Sequence, residues 1–584
     1  MFQKNEKHLQ SALFNSLDDL PPGMRVRLEQ SWAGTFRCEV FQRLDEKPFA
    51  VLYSEKYSRP NVPVNVLLSL ETLKAGFGWT DEELYDHFLY DLQVRYALGY
   101  EQLGEGYFAI RTLYEFRRRL AEYMQQSGKN LVEAAFAQVT DEQIQALQVR
   151  TTHLRMDSTQ VASNIRQYSR LQLLVEVLQR VHRSLAEADQ AHYQPLFAPY
   201  TKGKSSHFVY TLHKDDYDAQ LQTIGQGMAR LLDELAPGYG RTPTYAMLAR
   251  VFADHFVWEE AEQRPKAPSE LAATSLQAPD DPDATFRHKQ GKSHRGFVSN
   301  ITETCHTENA VQLILKVHTA PNVADDARML EEELPNLLQR TDVNILNTDG
   351  GYNSEGVDNI LDRHGIQHMQ TAIRGDKPDL VGPSLVDFAF EATDEGVPFA
   401  ATCPAGQRFV IQPGRQEGRF IGRPHADTCL ACPLLAHCPV RPRSGNVTPS
   451  LYMERRSYRV ALKRQAIATM SRQGNPRAAV EATVRSVKQP LDRGRLRVRG
   501  IFRVACQMIG SAMMVNVRRI QTYQVNRLLA PVFALFAILL TLWNRHKPGF
   551  APVHRQFVLF VFPKPPSFPI HHGRCNSLYL YPAG

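Results

Sequence analysis

The sequence predicts a mixed α/β protein in which a core containing strands follows a helical N-terminal part. Helix-start signals and apolar residues at helical spacing occur within residues 1–125. Farther along, several short apolar runs are typical of buried strands, and one segment of helical period precedes the last of them. The strand-like runs are the residues before Asp157, then 296–301, 311–317 and 343–346, and the helical segment is 324–338.

The composition is that of a globular protein with two or three domains. The chain has 584 residues, of which 43% are hydrophobic and 22% are charged, which is enough for sizeable buried cores. Its start, MFQKNEKHLQ, lacks the apolar stretch of a secretory signal peptide. Eight cysteines in a chain of this length do not indicate a disulfide scaffold, so a reducing cytoplasm is the expected compartment.

Two capping boxes predict helix starts in the N-terminal part. Thr80-Asp81-Glu82-Glu83 begins one helix, and Thr112-Leu113-Tyr114-Glu115 begins another. The second helix carries Arg117, Arg118 and Arg119 within its first two turns. Such a helix can dock on a phosphate backbone or enter a major groove, so residues 1–125 are predicted to be an all-helical DNA-binding domain. The alternative is a structural helix with an exposed basic face.

A helical insert separates the first strand from the others. Residues 166–262 have the apolar spacing of helices, and 263–283 form a linker rich in Pro, Ala and acidic residues. The remaining order is strand, strand, strand, helix, strand, and the first and last strands deliver Asp157 and Asp349. This is the order of a ribonuclease-H-like core, in which the two central strands lie side by side. The two aspartates are therefore expected to converge although they are 192 positions apart in the sequence.

A third carboxylate lies on a predicted helix near the C-terminal end. Arg477, Glu481, Arg485 and Lys488 fall within about 80° of one another on an α-helix, so they share one face. A carboxylate at the end of a buried strand is costly unless something pairs with it. Asp157, Asp349 and Glu481 together would form an oxygen-rich site for two Mg²⁺ ions. An ordinary amphipathic helix with charge pairs would show the same spacing around Glu481.

The positive charge of the chain is concentrated around this helix. Residues 451–530 contain 17 Lys and Arg but only 3 Asp and Glu, within a chain whose net charge is +7. A local excess of this kind indicates a surface that meets polyphosphate. A solvated basic helical face is the alternative interpretation.

Four of the eight cysteines lie between Asp349 and Glu481. Two of them form a C-x2-C knuckle, and their number and spacing predict a structural Zn²⁺ site. His425 and His437 are alternatives for one ligand position. Reduced thiols without a metal are the other interpretation. The four cysteines are Cys403, Cys429, Cys432 and Cys438.

The C-terminal tail has a different character. Residues 528–543 form an apolar run of 16 residues that contains Pro531. A membrane-spanning helix needs about 20 residues, so no membrane partner is expected. The following residues, up to 584, are rich in Pro and aromatic side chains and have no clear period.

On these residues, the chain resembles the DDE-superfamily transposases of bacterial insertion sequences over roughly 40–525. The most specific segments are Asp157-Ser158-Thr159-x-Val161-x-Ser163-Asn164, the block Asp280–Arg287, and Thr348-Asp349-Gly350-Gly351-Tyr352. Arg477, Glu481 and Lys488 match the R-x3-E-x6-K part of the signature of one branch. The Tyr that often stands three residues before this Arg is replaced by Gly474.

The resemblance implies an activity, cofactors and partners. It implies cleavage of double-stranded DNA at terminal inverted repeats and transfer of the 3′-hydroxyl to a target, with two Mg²⁺ ions or with Mn²⁺ in their place. It implies Asp157, Asp349 and Glu481 as metal ligands, a homodimer that pairs two ends, and a bacterial cytoplasm in association with the nucleoid. A relic that only binds DNA and a metal-dependent nuclease without strand transfer are the alternatives. The domains predicted are 1–125, 150–350 with its insert and linker, 351–475 with the cysteines, 476–527 as the basic end of the core, and 528–584.

Overall fold

The structure is a computed structural model, and it describes most of the chain. Arg477 and residues 547–584 lie outside the described residues, and with them lie Gly474 and most of the predicted tail. The chain divides into two compact units, Met1–Thr522 and Tyr523–Gly584. The described residues are 1–9, 15–55, 59–102, 104–259, 262–289, 291–371, 373, 382–393, 396–443, 446–473, 478–491 and 494–546.

The N-terminal part is helical, as the sequence predicts. The helix Val64–Phe77 is almost wholly buried by its neighbours. It ends at Gly78, whose φ of +74° is easily adopted only by glycine. The Thr80 capping box is confirmed, with both reciprocal hydrogen bonds present. The helices are α1 Pro22–Glu29, α2 Trp32–Phe36, α3 Val64–Phe77, α4 Asp81–Tyr90, α5 Leu92–Ala97, α6 Arg111–Ser127 and α7 Leu131–Leu147.

The second predicted capping box, at Thr112, is wrong. α6 begins at Arg111, and Ile110 before it already has helical angles, with φ −51° and ψ −30°. Thr112 is therefore inside the first turn, where its side chain is not positioned to cap the free N–H groups. Glu115 instead accepts a hydrogen bond of 2.9 Å from Arg118 Nη2.

The insert after the first strand is helical but ends in a hairpin. α8 buries the predicted apolar stripe, since Leu171, Leu174 and Leu178 are fully enclosed. The predicted helical range extended to 262, whereas the chain turns at Phe256 into two short antiparallel strands. Aromatic and β-branched residues at 256–258 favour this pairing. The elements are β1 His153–Val161, α8 Arg170–Ser184, α9 Glu187–His192, α10 Gln194–Phe197, α11 Ser205–Thr211, α12 Tyr217–Tyr239, α13 Pro243–His255, β2 Phe256–Glu259 and β3 Glu262–Pro265.

A mixed sheet forms the centre of the first unit. Strands pair in the order β6-β5-β1-β7-β8, and β4 also pairs with β5. β5 runs antiparallel to both β1 and β6, whereas β7 is parallel to β1 and β8 is parallel to β7. The predicted adjacency of the first and fourth core strands is thus confirmed. The elements are β4 Thr285–Lys289, β5 Lys292–Thr304, β6 Ile314–Pro321, α14 Asp326–Arg340, β7 Ile345–Thr348, α15 Glu355–Arg363 and β8 Gln367–Gln370.

The two faces of β1 contact different helices. Leu154 and Met156 pack in one apolar cluster with residues of α14 and α15, such as Leu330 and Leu361. Arg155 lies on the opposite face because successive side chains of a strand alternate. This second face meets the C-terminal helices described next.

A second, antiparallel sheet follows the central one. The segment predicted at 351–475, which carries the four cysteines, is named the second insert. Because β8 still belongs to the central sheet, the second insert begins after Gln370 rather than at 351. Among the described residues, no helix combines the length and apolar character that a membrane crossing requires. The elements are β9 Ala389–Ala392, β10 Pro398–Thr402, β11 Arg408–Pro413, β12 Arg419–Gly422, α16 Ala426–Leu430, β13 Val440–Arg443, β14 Asn446–Glu454, α17 Arg455–Gln473, α18 Ala478–Lys488 and α19 Ile501–His546.

Candidate active site

Asp157 lies in the middle of β1, not at its end as the sequence predicts. It is opposite Ile301 of β5, and this antiparallel pairing continues to Val161. The parallel pairing with β7 ends earlier, at Arg155. Asp157 is therefore two residues beyond the point where β7 leaves β1. Its carboxylate is largely buried, and Oδ1 accepts a hydrogen bond of 3.0 Å from the Ser158 N–H.

Asp349 follows β7 directly and occupies the equivalent position. Arg155 is in register with Asn347, so Asp157 and Asp349 each lie two residues beyond the last paired residues. Asp349 Oδ1 accepts a hydrogen bond of 2.8 Å from the Gly351 N–H, which starts a single turn of 3-10 helix. The register thus places both aspartates at the same level along the adjacent strands β1 and β7.

The buried phenol of Tyr352 lies within electrostatic reach of both aspartates. Its hydroxyl donates to Asn300 Oδ1 at 2.7 Å. Burial raises the pKa of Tyr352 well above its usual range, and the nearby negative charges raise it further. In order of effect, these charges belong to Asp326, Asp157, Glu333 and Asp349.

Glu481 lies on α18, which packs against β1. Val480, Thr483 and Val487 are buried on this helix, whereas Glu481 and Arg485 are exposed. The helix is amphipathic, as the sequence predicts. In the part of the chain that the structure describes, no three His, Cys, Asp or Glu side chains lie close enough together to hold a metal ion as they stand.

Two contacts attach α18 to the central sheet. Lys488 Nζ donates to Thr159 Oγ1 at 3.2 Å and to the Gln160 carbonyl at 2.8 Å, and burial lowers the pKa of this ammonium group. Five residues earlier, Thr483 Oγ1 donates to the fully buried Glu303 at 2.8 Å. Both contacts involve the side of β1 that carries Arg155.

Glu303 joins three elements and was not identified from the sequence. Its carboxylate accepts hydrogen bonds from Arg155 Nε of β1 at 2.6 Å and from Arg519 Nη1 of α19 at 2.7 Å, in addition to the one from Thr483 of α18. The available signal was a charged residue two positions after the apolar run 296–301. Without a partner in the sequence, that signal does not distinguish a buried glutamate from an exposed one.

The arginines of α6 are engaged in intramolecular contacts. Arg117 donates to Glu71 Oε1 at 2.8 Å and to Asp81 Oδ1 at 2.7 Å, and so connects α6 with α3 and α4. Arg118 is about half exposed and pairs with Glu115 and Glu122 of its own helix. The guanidinium group of Arg119 lies 5.1 Å from the ring centre of Tyr53. A phosphate would have to compete with these partners.

A cleft of about 550 Å³ brings together two basic segments that are far apart in the sequence. Its lining includes six basic and two acidic side chains. Arg497, Arg499 and Arg503 are among the basic ones, and each is substantially exposed. The other charged lining residues are Lys74, Arg117, Arg118, Glu71 and Asp81.

The four cysteines of the second insert converge. Cys403, Cys429, Cys432 and Cys438 all line one small cavity of about 30 Å³, and neither His425 nor His437 lines it. All four are free thiols. Burial raises the pKa of Cys429, and the other three sulfur atoms raise it further.

Comparison with known proteins identifies one family. Residues 402–521 match the family described as "Transposase DDE domain". The matched range includes the C-x2-C knuckle and Glu481, whereas Asp157 and Asp349 precede it. No curated protein and no solved structure matches the chain. The resemblance to DDE-superfamily transposases is thereby confirmed.

Proposed function

We propose that this chain, whose residues 402–521 match the transposase DDE domain, is a transposase of the DDE superfamily that mobilises a bacterial insertion sequence. In this proposal it cuts the terminal inverted repeats of the element and joins their 3′-hydroxyls to target DNA. The observation that carries the proposal is the equivalent position of Asp157 and Asp349 on the adjacent parallel strands β1 and β7.

The proposal takes the central sheet to be a ribonuclease-H-like core. The strand order and directions support this. On one side of β1 lie β5 and β6, each antiparallel to its neighbour, and on the other side lie β7 and β8, which are parallel to β1. α14 and α15 form the connections that parallel strands require. The helical insert 170–255 lengthens the connection between β1 and β5. These two strands still pair directly and antiparallel, as the strands of a hairpin do.

The contacts of α18 support Glu481 as the third carboxylate. Thr483 reaches Glu303, the partner of Arg155, and Lys488 reaches Thr159 and Gln160, so α18 and β1 run in the same direction. Thr483 lies near the level of Arg155 and Lys488 near the level of Thr159, so Glu481, two residues before Thr483, lies about 3 Å farther toward the start of β1. Because α18 packs against the face of β1 that carries Arg155 and Asp157, Glu481 and Asp157 belong to the same side of the sheet.

The three carboxylates are suited to hold two Mg²⁺ ions, or Mn²⁺ in their place, since hard oxygen donors are the ligands these cations prefer. Two such ions supply charge stabilisation to the attacking and leaving oxygens of an in-line phosphoryl transfer. The chain's own contribution is to position the carboxylates through the β1–β7 register and the two anchors of α18. Arg485 and Lys488 place positive charge beside the DNA phosphates.

The proposed DNA path includes the basic cleft and the helical N-terminal domain. Arg497, Arg499 and Arg503 have exposed guanidinium groups that can neutralise phosphates and release counterions. Arg117 and Arg118 of α6 also line this cleft, so two of the three α6 arginines predicted to bind DNA adjoin the basic segment 497–503. Since transposition joins two element ends, we expect a homodimer in the DNA complex.

We also assign a structural Zn²⁺ to the four cysteines. Four thiols around one small cavity match the ligand set of a structural zinc site. The Cys432 N–H donates to the Cys429 carbonyl at 3.1 Å, which closes the turn between these two ligands. The structure favours Cys403 over either histidine as the fourth ligand. Zinc here would hold the second insert together.

A strand-cleavage and strand-transfer assay with Mg²⁺ on the ends of the element tests the proposal. Asp349→Ala should abolish both reactions and leave DNA binding near normal. Asp342→Ala is the matched control, because Asp342 is exposed and precedes β7 by three residues. Cleavage by Asp349→Ala at the wild-type rate would overturn the proposal.

A further inference from the structure

A fourth carboxylate lies beside Asp349 of the proposed site. Asp326 is the first residue of α14, and only 1% of it is exposed. Its Oδ1 is buried without a hydrogen-bond partner among the described residues. Buried carboxylates are nearly always paired with a donor or a cation, so this side chain calls for a ligand. The start of α14 favours a negative charge but supplies no hydrogen bond to Oδ1.

The backbone at Gly351 brings Asp326 and Asp349 together. Asp326 Oδ2 and Asp349 Oδ1 both lie 2.8 Å from the position that a Cβ would take at Gly351. Any side chain there would displace one or both carboxylates, which explains glycine at this position. The two carboxylates are thus separated only by the space above a glycine.

The same group of charges includes Asp157. Among the charges that act on the Tyr352 hydroxyl, Asp326 has the largest effect, ahead of Asp157 and Asp349. All three aspartates therefore lie within electrostatic reach of the Tyr352 hydroxyl. Carboxylates that converge in this way repel one another, and a divalent cation relieves the repulsion.

We propose that Asp326 is a further ligand of the divalent cation held by Asp157 and Asp349. This inference rests on the proposed function, because it places the new ligand at the same site. It gives the ion a buried carboxylate on the side where α14 begins. Three ligands are then present in the sheet and its connections, before α18 contributes Glu481 from its exposed face.

Mn²⁺ binding to the full-length chain without DNA tests this inference. Binding is followed by electron paramagnetic resonance and by the Mn²⁺-induced shift of the thermal unfolding midpoint. Asp326→Asn should weaken Mn²⁺ binding by about tenfold or more, because a direct ligand matters at least as much as an outer partner. Asp325→Asn is the matched control, since Asp325 is exposed and adjoins the same helix start without capping it. It should bind Mn²⁺ within about twofold of wild type.

The outcomes separate this inference from the proposed function. If Asp326→Asn binds Mn²⁺ like wild type while Asp349→Asn does not, the role of Asp326 is overturned and the proposed site stands. If Asp349→Asn also binds normally, the cation site itself is overturned. Without metal, Asp326→Asn should be at least as stable as wild type, because it removes a buried carboxyl group of which Oδ1 has no hydrogen-bond partner among the described residues. Asp326→Ser provides a second variant without the carboxylate if the asparagine variant does not fold.

Discussion

Replacing Glu303 by glutamine should loosen α18, the helix that carries Glu481. The substitution keeps the shape of the side chain and removes its charge. Arg155 then loses its hydrogen-bonded counter-charge, and its side chain is only 9% exposed. Arg519 is less affected, because it is 24% exposed and also donates to the Gln312 carbonyl.

The expected magnitude follows from the burial of these groups. Removing one partner of a buried ion pair costs about 3–5 kcal/mol, because the remaining charge stays buried without compensation. Glutamine can still accept hydrogen bonds from Thr483, so we expect a loss of about 3 kcal/mol, near the lower end of that range. The exposed pair Arg150–Glu308 provides the matched control, with side chains 58% and 60% exposed. Glu308→Gln should cost about 0–1 kcal/mol.

Hydrogen exchange measured by mass spectrometry reports the loss of stability separately for each segment of the chain. A loss of about 3 kcal/mol should accelerate exchange of the amides of α18 by up to about 150-fold. α12 lies in the helical insert and does not contact Glu303 directly, so its exchange should be unchanged. DNA cleavage should fall while DNA binding persists, since Glu481 loses its fixed position.

Two results would refute this reasoning. One is unchanged exchange in α18 of Glu303→Gln, which would mean that the junction does not hold the helix. The other is an equal acceleration in Glu308→Gln, which would make the effect a general response to lost charge.

Three further predictions test other parts of the structure. Cys429→Ser should lose a stoichiometric zinc ion measured by plasma mass spectrometry, whereas Cys506→Ser, which is remote from the cavity of the four cysteines, should retain it. Arg503→Gln should lower the slope of log K against log salt for DNA binding by about 0.9, and the exposed control Arg230→Gln on α12 should not. Burial raises the pKa of Glu333 to about 8, so the folded state holds a proton that the unfolded state releases above its ordinary pKa. The free energy of unfolding should therefore fall as pH rises from 5 to 8, by at most about 1.4 kcal/mol per pH unit, and Glu333→Gln should lack this dependence in urea titrations.

The strand order of the core could be predicted because its signals are local. Apolar runs, a helical period between them and an acidic residue after the first and last runs are all readable within a few residues. These signals predict adjacent strands that carry Asp157 and Asp349. In the structure, β1 does pair with β7 in parallel. The end of β1 was placed too early, because the continuation of its pairing to Val161 depends on β5, far away in sequence.

The neighbours of the site could not be predicted in the same way. Asp326 lies within the predicted helix 324–338, and nothing in this segment indicates that one of its oxygens is buried without a hydrogen-bond partner among the described residues. Arg117 was expected to face DNA, yet it binds Glu71 and Asp81 because α6 packs against α3 and α4. Helical period shows which face is polar but not which acids lie opposite.

The sequence by itself determined the α/β class, the two central strands with their aspartates, the amphipathic helix of Glu481 and the basic C-terminal region. Only the tertiary structure showed that Cys403 lines the same small cavity as the other three cysteines, that Glu303 accepts a hydrogen bond from Thr483 of α18 and that Asp326 adjoins Asp349. The physical reason is the range of the interactions. Periodicity and helix caps act over a few residues, whereas these contacts depend on how separate elements pack, which no short segment encodes.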